Sequence, residues 1–192
     1  MKQLLTLIVL AAIVWAGFSF LKQEIGTPTV RELPVGSDLT IDGHPVVESF
    51  AFTNARVIDG DSLRVTNIQG AEFDLRLASL DAPELNQAYG PEAKQHLESL
   101  LSNHEITAWS IGTDRYDRKL VFLLIQQAAS NSSQPQFFEI NPQMIRDGFA
   151  WHYKQHSSNP LLDTFENEAR TARLGLWNDS FQPIPPWEFR NQ

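Results

Sequence analysis

The sequence predicts an α+β fold, a small barrel of short strands carrying helices, and three observations lead there. Short apolar runs with strand-like periodicity recur from Phe52 to Gln126. Proline-led helix starts follow at Gly90-Pro91-Glu92, Asn141-Pro142 and Pro160. Hydrophobic residues make up 42% of the 192 residues, with 12 Phe and 5 Trp among them, enough to bury a substantial core.

Taken in order, Leu4 to Leu21 is free of charge, with Lys2 before it and Lys22 after it. It exceeds a usual signal-peptide core and approaches the roughly 20 residues of a spanning helix. Gly17-Phe18-Ser19 is a poor small-x-small cleavage site. Residues 1–22 are therefore expected to be an uncleaved signal anchor, with a cleaved signal peptide as the alternative. Lys2 and the amino group oppose Lys22 and Arg31, so positive charge does not code an orientation. Residues 23–50 hold Pro28, Pro34, Gly36, Asp42-Gly43 and Pro45 and read as a linker with one short strand. The domain proper is expected over 51–192.

Within it, 55–66 and 72–80 read as strands joined by a turn at Asn67-Ile68-Gln69-Gly70. A helix opens at Gly90-Pro91, with Ala93, Leu97, Leu100 and Leu101 inward. Strands are expected over 105–111 and 119–126, the second nearly all apolar and so buried on both faces. Residues 128–136 are rich in Ser, Gln and Asn and read as a loop, and 137–140 as a short strand. Asn141-Pro142 signals a helix cap, with a stop near Gly148. A last helix is expected over 160–173, ending at Gly175, with Leu161, Leu162, Phe165, Ala169 and Ala172 on one side. The tail Ile184-Pro185-Pro186-Trp187-Glu188 reads as extended.

Composition excludes some chemistry. There is no cysteine, so thiol nucleophiles, thiolate metal sites and disulfides are out. Beyond Lys22 stand 13 basic and 23 acidic residues, a balance of −10. That is not the usual charge of a nonspecific nucleic-acid binder.

Chemistry-bearing residues gather in three places. Asp59-Gly60-Asp61 interrupts an apolar strand pattern with residues that disfavour strands. Such a stretch either turns a corner or holds something positive. Ser79-Leu80-Asp81-Ala82-Pro83-Glu84 ends the next strand in a second acidic cluster, with Pro83 keeping Ala82 extended. Hard cations take oxygens collected from neighbouring strands, including main-chain carbonyls. Two registers are open. One sets Asp61 opposite Arg76; the other pairs Leu63 with Leu75 and Val65 with Phe73, and a bulge near Gly60 would reconcile them. By spacing alone, a solvated rim of acids with a neutral ion pair is an equal alternative. The third place, Thr113-Asp114-Arg115-Tyr116-Asp117-Arg118, adds guanidiniums suited to phosphate and a ring suited to stacking on a base.

Ile58-Asp59-Gly60-Asp61-Ser62, Leu75-Arg76-Leu77, Asp81-Ala82-Pro83-Glu84, Tyr89-Gly90-Pro91-Glu92-Ala93 and Asp114-Arg115-Tyr116-Asp117-Arg118 occur in an order and spacing that resemble the staphylococcal (thermo)nuclease family. Asp147-Gly148-Phe149-Ala150, Ala169-Arg170 through Gly175-Leu176-Trp177 and the Pro-Pro-Trp-Glu tail extend the resemblance over roughly residues 50–190. The tail is similar to bacterial membrane-associated or secreted members. The resemblance implies an OB-like five-stranded β-barrel with three helices and a Ca²⁺-dependent hydrolase of DNA and RNA leaving 3′-phosphate ends. By it, Asp61, Asp81 and the main-chain carbonyl of Ala82 would hold Ca²⁺, with Asp59 supporting them from behind. Glu84 would activate or orient the attacking water. Arg76 and Arg118 would clamp the phosphate, and Tyr116 and Arg115 would contact substrate. Asp117 stands where glycine is common, and the family's second active-site tyrosine has only Tyr153, offset, as a counterpart.

The expectation is thus a monomeric nuclease domain, held at a membrane through residues 4–21 or secreted, facing the periplasm or the exterior. The alternative is a catalytically silent nuclease-fold module that binds nucleic acid or a protein partner at the cell envelope. His152 and His156 have half-zinc-site spacing but lack a partnering Glu and read as exposed histidines. Trp151, Trp177 and Trp187 read as packing residues.

Overall fold

The computed structural model describes residues 31–33, 35, 38–66, 70–127, 136–178 and 183–192. The apolar run 4–21, and the anchor expected there, lie outside the described residues. No helix among the described residues is long and apolar enough to cross a membrane.

The strands are β1 (Arg31–Leu33), β2 (Thr40–Ile41), β3 (His44–Pro45), β4 (Glu48–Phe52), β5 (Arg56–Val57) and β6 (Ser62–Thr66). They continue with β7 (Glu72–Leu77), β8 (Leu80–Asp81), β9 (Ile106–Thr113), β10 (Lys119–Gln127), β11 (Gln136–Glu139) and β12 (Trp151–His152). The helices are α1 (Gly90–Leu101), α2 (Ile140–Arg146), α3 (Pro160–Ala172) and the one-turn α4 (Pro186–Phe189), with a 3₁₀ turn at Gly175–Trp177. The main sheet runs β1-β4-β9-β10-β7-β6-β5, with β11 also on β10. The fold is α+β, as expected. Its ladders make an open, curled half-barrel whose five longest members, β4, β9, β10, β7 and β6, face the helices. Leu63, Leu75, Leu77, Val121 and Leu123 are buried with Leu97 of α1 and Met144 and Ile145 of α2.

Chain reversal near the acids departs from the expected strand 55–66. The Ile58 and Asp59 amides both donate to the Ser62 carbonyl, at 2.8 and 3.3 Å, and close a hairpin between β5 and β6. The acid-Gly-acid stretch therefore turns a corner. Gly60 is required by space rather than by a left-handed backbone: a Cβ there would lie 2.7 Å from the Ala82 Cβ and 2.8 Å from the Ala93 Cβ. Between β6 and β7, Leu63 pairs with Leu75, Val65 with Phe73 and Ser62 with Arg76. That is the register that matches apolar faces, and it continues without a bulge through the Leu77 amide onto the Asp61 carbonyl at 2.8 Å.

Other elements refine the expectations. Strand 72–80 breaks at Ala78-Ser79, where Ser79 has φ 67°, and β8 then pairs with β12. Residues 31–52 contribute β1 to β4, and Asp42-Gly43, both at positive φ, make the two-residue turn of the β2–β3 hairpin. Asn141 lies inside α2 rather than capping it. It is buried, accepts from the Leu123 amide at 3.0 Å and donates to the Ala78 and Val121 carbonyls. α3 ends at Ala172, with Arg173 left-handed at φ 54°, ahead of Gly175. Its inner side is Leu162, Glu166 and Ala169, whereas Leu161 and Ala172 are exposed. Glu166 is tolerated there because it accepts from the His152 amide at 2.9 Å and pairs with Arg170. The tail is helical over α4, because Pro186 at the first position has its φ already set for a helix.

Candidate active site

Three pieces of backbone bring the acids together at the mouth of the half-barrel. The β5–β6 hairpin delivers Asp59 and Asp61, and β8 delivers Asp81. A turn holds Glu84, whose carbonyl accepts from the Gln87 amide at 2.8 Å and whose amide donates to the Gln87 side chain at 3.2 Å. Gly90 lies so close that an added Cβ would stand 2.0 Å from the Glu84 carbonyl oxygen. Asp59, Asp61, Asp81 and Glu84 line one cleft of roughly 990 Å³, together with Arg76, Arg115, Tyr116, Arg118 and Arg190.

The central feature is a pair of buried carboxylates bridged by one guanidinium. Arg76 Nη1 is 2.9 Å from Asp61 Oδ2, and its Nη2 donates to Asp81 Oδ1 at 2.9 Å. Asp61 and Asp81 are 8% and 1% exposed in their side chains, so each requires a partner. Asp61 also accepts from the Ala82 amide at 2.8 Å and from the Ser62 hydroxyl at 2.9 Å. Asp59 Oδ1 accepts from the Asp61 amide at 3.1 Å and thereby steadies the turn. Burial first, and the adjacent Asp61 charge second, push the Asp59 carboxyl up to about 6. Burial likewise raises Asp81, against the hydrogen bonds from Arg190.

Arg190 is the residue that sequence reasoning missed. Its Nη1 donates to Glu84 Oε1 at 2.7 Å and to Asp81 Oδ1 at 3.2 Å, and its Nη2 donates to Asp81 Oδ2 at 2.8 Å. It is 109 residues from Asp81 in the chain. The only signal nearby was the Pro-Pro-Trp-Glu tail, read as extended. Ser62 was likewise not singled out, although it links Asp61 to Arg118 Nη1, the latter at 3.4 Å.

The β9–β10 loop is organised by Asp114. Its Oδ1 accepts from the Tyr116 and Arg118 amides at 2.9 and 3.0 Å, and its Oδ2 holds Arg118 Nε at 2.8 Å and Nη2 at 2.7 Å. Those bonds, after burial that acts the other way, hold the Asp114 carboxyl below its ordinary range. Asp117 sits at φ 65°, so its place does require the left-handed region that Asp tolerates. Tyr116 is 64% exposed, with the Arg115 and Arg118 guanidinium carbons 4.8 and 5.6 Å from its ring centroid. Tyr153 also lines the cleft, stacked on Trp187 at 5.6 Å and 18°.

His152 is not the exposed residue expected. It is buried in β12 with Nδ1 2.9 Å from Asp163, while His156 is exposed. Trp151 and Trp177 pack edge to face at 5.4 Å in a small cluster with Ala169 and Leu176, as expected of packing residues.

The site's oxygens suit a hard cation. Asp61 and Asp81 converge within the span of one guanidinium, as do Asp81 and Glu84, so positive charge already stands where their oxygens meet. Among the described residues no group of three or more His, Cys, Asp or Glu side chains is gathered at metal-holding geometry. Asp61, Asp81 and the main-chain oxygen of Ala82 are the groups that could hold such a cation. Acids beside several guanidiniums in an open cleft of an α+β half-barrel define a class of protein whose site suits a phosphodiester.

Comparison with known proteins agrees. The model of the family described as staphylococcal nuclease homologue matches residues 74–179, more than half the chain. That span includes Arg76, Asp81, Ala82, Glu84, Arg115, Tyr116 and Arg118 but not Asp59, Asp61 or Arg190. A micrococcal nuclease of Shigella flexneri is 34% identical over 150 residues, 76% of this chain and 83% of its own. A protein of Escherichia coli O157:H7 named as an uncharacterized endonuclease is 35% identical over 137 residues, 71% of this chain and 82% of its own. One with the same name from Haemophilus influenzae is 33% identical over 137 residues, 71% of each chain. The chain belongs to the staphylococcal nuclease homologue family.

Proposed function

We propose that the protein is a Ca²⁺-dependent nuclease that hydrolyses DNA and RNA and leaves 3′-phosphate ends. The observation that carries this reading is the Arg76 guanidinium bridging Asp61 and Asp81 beside Glu84, with Arg118 tied to the same cluster through Ser62. Asp61, Asp81 and the Ala82 carbonyl would hold the cation, which supplies Lewis-acid polarisation of a phosphoryl oxygen when bound. Glu84, a third exposed, accepts the proton of a water aimed at phosphorus or orients that water for attack. Arg76 and Arg118 grip the non-bridging oxygens and stabilise the charge that grows on them in the transition state. Cleavage of the bond to the 5′-oxygen leaves the phosphate on the 3′ side. Exposed Tyr116, flanked by Arg115, offers its face to a base and so favours single-stranded or flexible substrate.

The apolar run 4–21 supports a membrane-anchored or secreted protein; action as a monomer on the periplasmic or extracellular side is part of the same proposal. One observation favours the silent-module alternative: Arg190 already engages both Asp81 and Glu84. The deciding experiment is incubation of the full-length chain with single-stranded DNA and with RNA, in Ca²⁺ or in EDTA, followed by end-group analysis. Cleavage only with Ca²⁺, giving 3′-phosphate ends, is expected. Intact substrate with folded protein in Ca²⁺ would hand the site to the silent module.

A further inference from the structure

The arginines of the cleft are not equally committed. Arg76 is 11% exposed and gives its donors to Asp61, Asp81 and the Leu77 carbonyl at 3.0 Å, all within the half-barrel. Arg118 spends Nε and Nη2 on Asp114 in its own loop. Arg190 is different. Its side chain is 42% exposed, and the contacts that hold it are to the carboxylates of the candidate metal and water-activating residues. Both Asp81 oxygens are engaged by Arg190, and one of them is shared with Arg76.

The backbone beneath Arg190 is fastened independently of that ion pair. Trp187 stacks on Tyr153 and meets Trp151 edge to face at 6.4 Å; Pro186 is buried, and the Gln87 side chain donates to the Ile184 carbonyl at 2.5 Å. A guanidinium expelled from Asp81 would therefore stay in the cleft. A divalent cation seated on Asp81 would displace it, because the cation needs the same two carboxylate oxygens that Arg190 holds. An acidic protein that must hold a polyanion has reason to keep a further cation in reach.

We propose that Arg190 is a third substrate-binding guanidinium, held by Asp81 and Glu84 and passing to the phosphodiester when a divalent cation takes Asp81. The proposal rests on the Ca²⁺ reading of the site. It assigns the C-terminal turn α4 a role in substrate binding that is coupled to cation entry. Ca²⁺ then competes with Arg190 for Asp81 and, by doing so, increases affinity for nucleic acid.

The test uses the full-length chain as wild type, Arg190→Ala and Arg190→Lys, with thermal unfolding in EDTA to establish that each is folded. Two constants are measured: Ca²⁺ affinity by calorimetry without nucleic acid, and affinity for a short phosphorothioate single-stranded DNA at saturating Ca²⁺. Arg190→Ala is expected to bind Ca²⁺ about 10-fold tighter and the oligonucleotide about 10-fold weaker than wild type. Arg190→Lys, which keeps the charge but loses the paired donors, should fall between them on both scales. Unchanged or weakened Ca²⁺ affinity in Arg190→Ala overturns the competition, and unchanged oligonucleotide affinity overturns the transfer to phosphate. If no protein binds Ca²⁺, the cation reading itself fails and takes the proposal with it. Ca²⁺ binding that is equal in all three ends only the proposal.

Discussion

Replacing Arg76 by methionine keeps most of the side-chain volume and removes the charge that joins Asp61 to Asp81. Both carboxylates are at most 8% exposed, so the variant leaves charge buried without its counter-ion. Breaking a buried pair typically costs 3–5 kcal/mol. Asp81 keeps its bonds to Arg190, while Asp61 keeps only the Ala82 amide and the Ser62 hydroxyl. The expected cost in EDTA is therefore near the lower end, about 3 kcal/mol, or a fall in Tm of roughly 6–12 °C. Urea unfolding followed by tryptophan fluorescence would measure it, with an unchanged m-value as the control for two-state behaviour. Saturating Ca²⁺ should return a large part of the lost stability by resupplying positive charge, yet leave kcat depressed by about 100-fold or more. A loss below about 1 kcal/mol in EDTA would refute the premise that this guanidinium neutralises the buried pair.

Three further outcomes are expected. Gly90→Ala would force a Cβ to within 2.0 Å of the Glu84 carbonyl, a backbone atom with no room to yield; about 3 kcal/mol of stability and most of the activity should be lost together, as urea midpoints and initial rates would report. Asp147 is partly buried, which alone would raise its carboxyl, but the bonds from His96 and Gln143, both at 2.8 Å, hold it below its ordinary 3.8. A depressed carboxylate stabilises the fold above its unfolded value and loses that contribution as pH falls through the folded one. Asp147→Asn should therefore be less stable than wild type at pH 7 and lose less on going below about pH 4, by urea titration at both pH values. Finally, the chain's formal charge is −8, and a phosphate grip by a few cleft arginines predicts that KM rises steeply between about 50 and 200 mM salt; a flat KM would contradict that grip.

Local chemistry made much of this fold legible. Prolines at the starts of α1 and α3, and the near-continuous apolar run of β10, placed those elements to within a few residues. Of the two β6–β7 registers left open, the structure has the one that pairs Leu63 with Leu75 and Val65 with Phe73, because a one-residue slip would turn every apolar side chain outward. What failed depended on distant partners. The β5–β6 hairpin keeps a strand-like apolar rhythm on both sides of its turn, and the room Gly60 needs is set by Ala82 and Ala93. Asn141 looked like a cap because its carbonyl and amide partners on Leu123, Val121 and Ala78 are supplied only by the folded sheet. Glu166 could sit on the buried side of α3 only once His152 offered its amide.

The candidate site divides along the same line. Asp61, Arg76, Asp81, Glu84, Arg118, Tyr116 and Arg115 all line one cleft, a gathering that spacing alone left open and the family resemblance implied. Arg190 was illegible because nothing in the tail codes the fold that brings it 106 positions back to Glu84. Ser62 was hidden by the reverse effect, a small side chain inside a conspicuous acidic motif. Its hydroxyl joins Asp61 to Arg118 only because the β9–β10 loop brings that guanidinium alongside.

Initial-rate cleavage of single-stranded DNA at saturating Ca²⁺, wild type against Glu84→Gln, is the most direct measurement, since the amide keeps the shape and loses the base. A nuclease in which Glu84 handles the attacking water should lose at least about 100-fold in kcat with KM little changed. Equal kcat in the two proteins would contradict it and move the water-activating role away from Glu84.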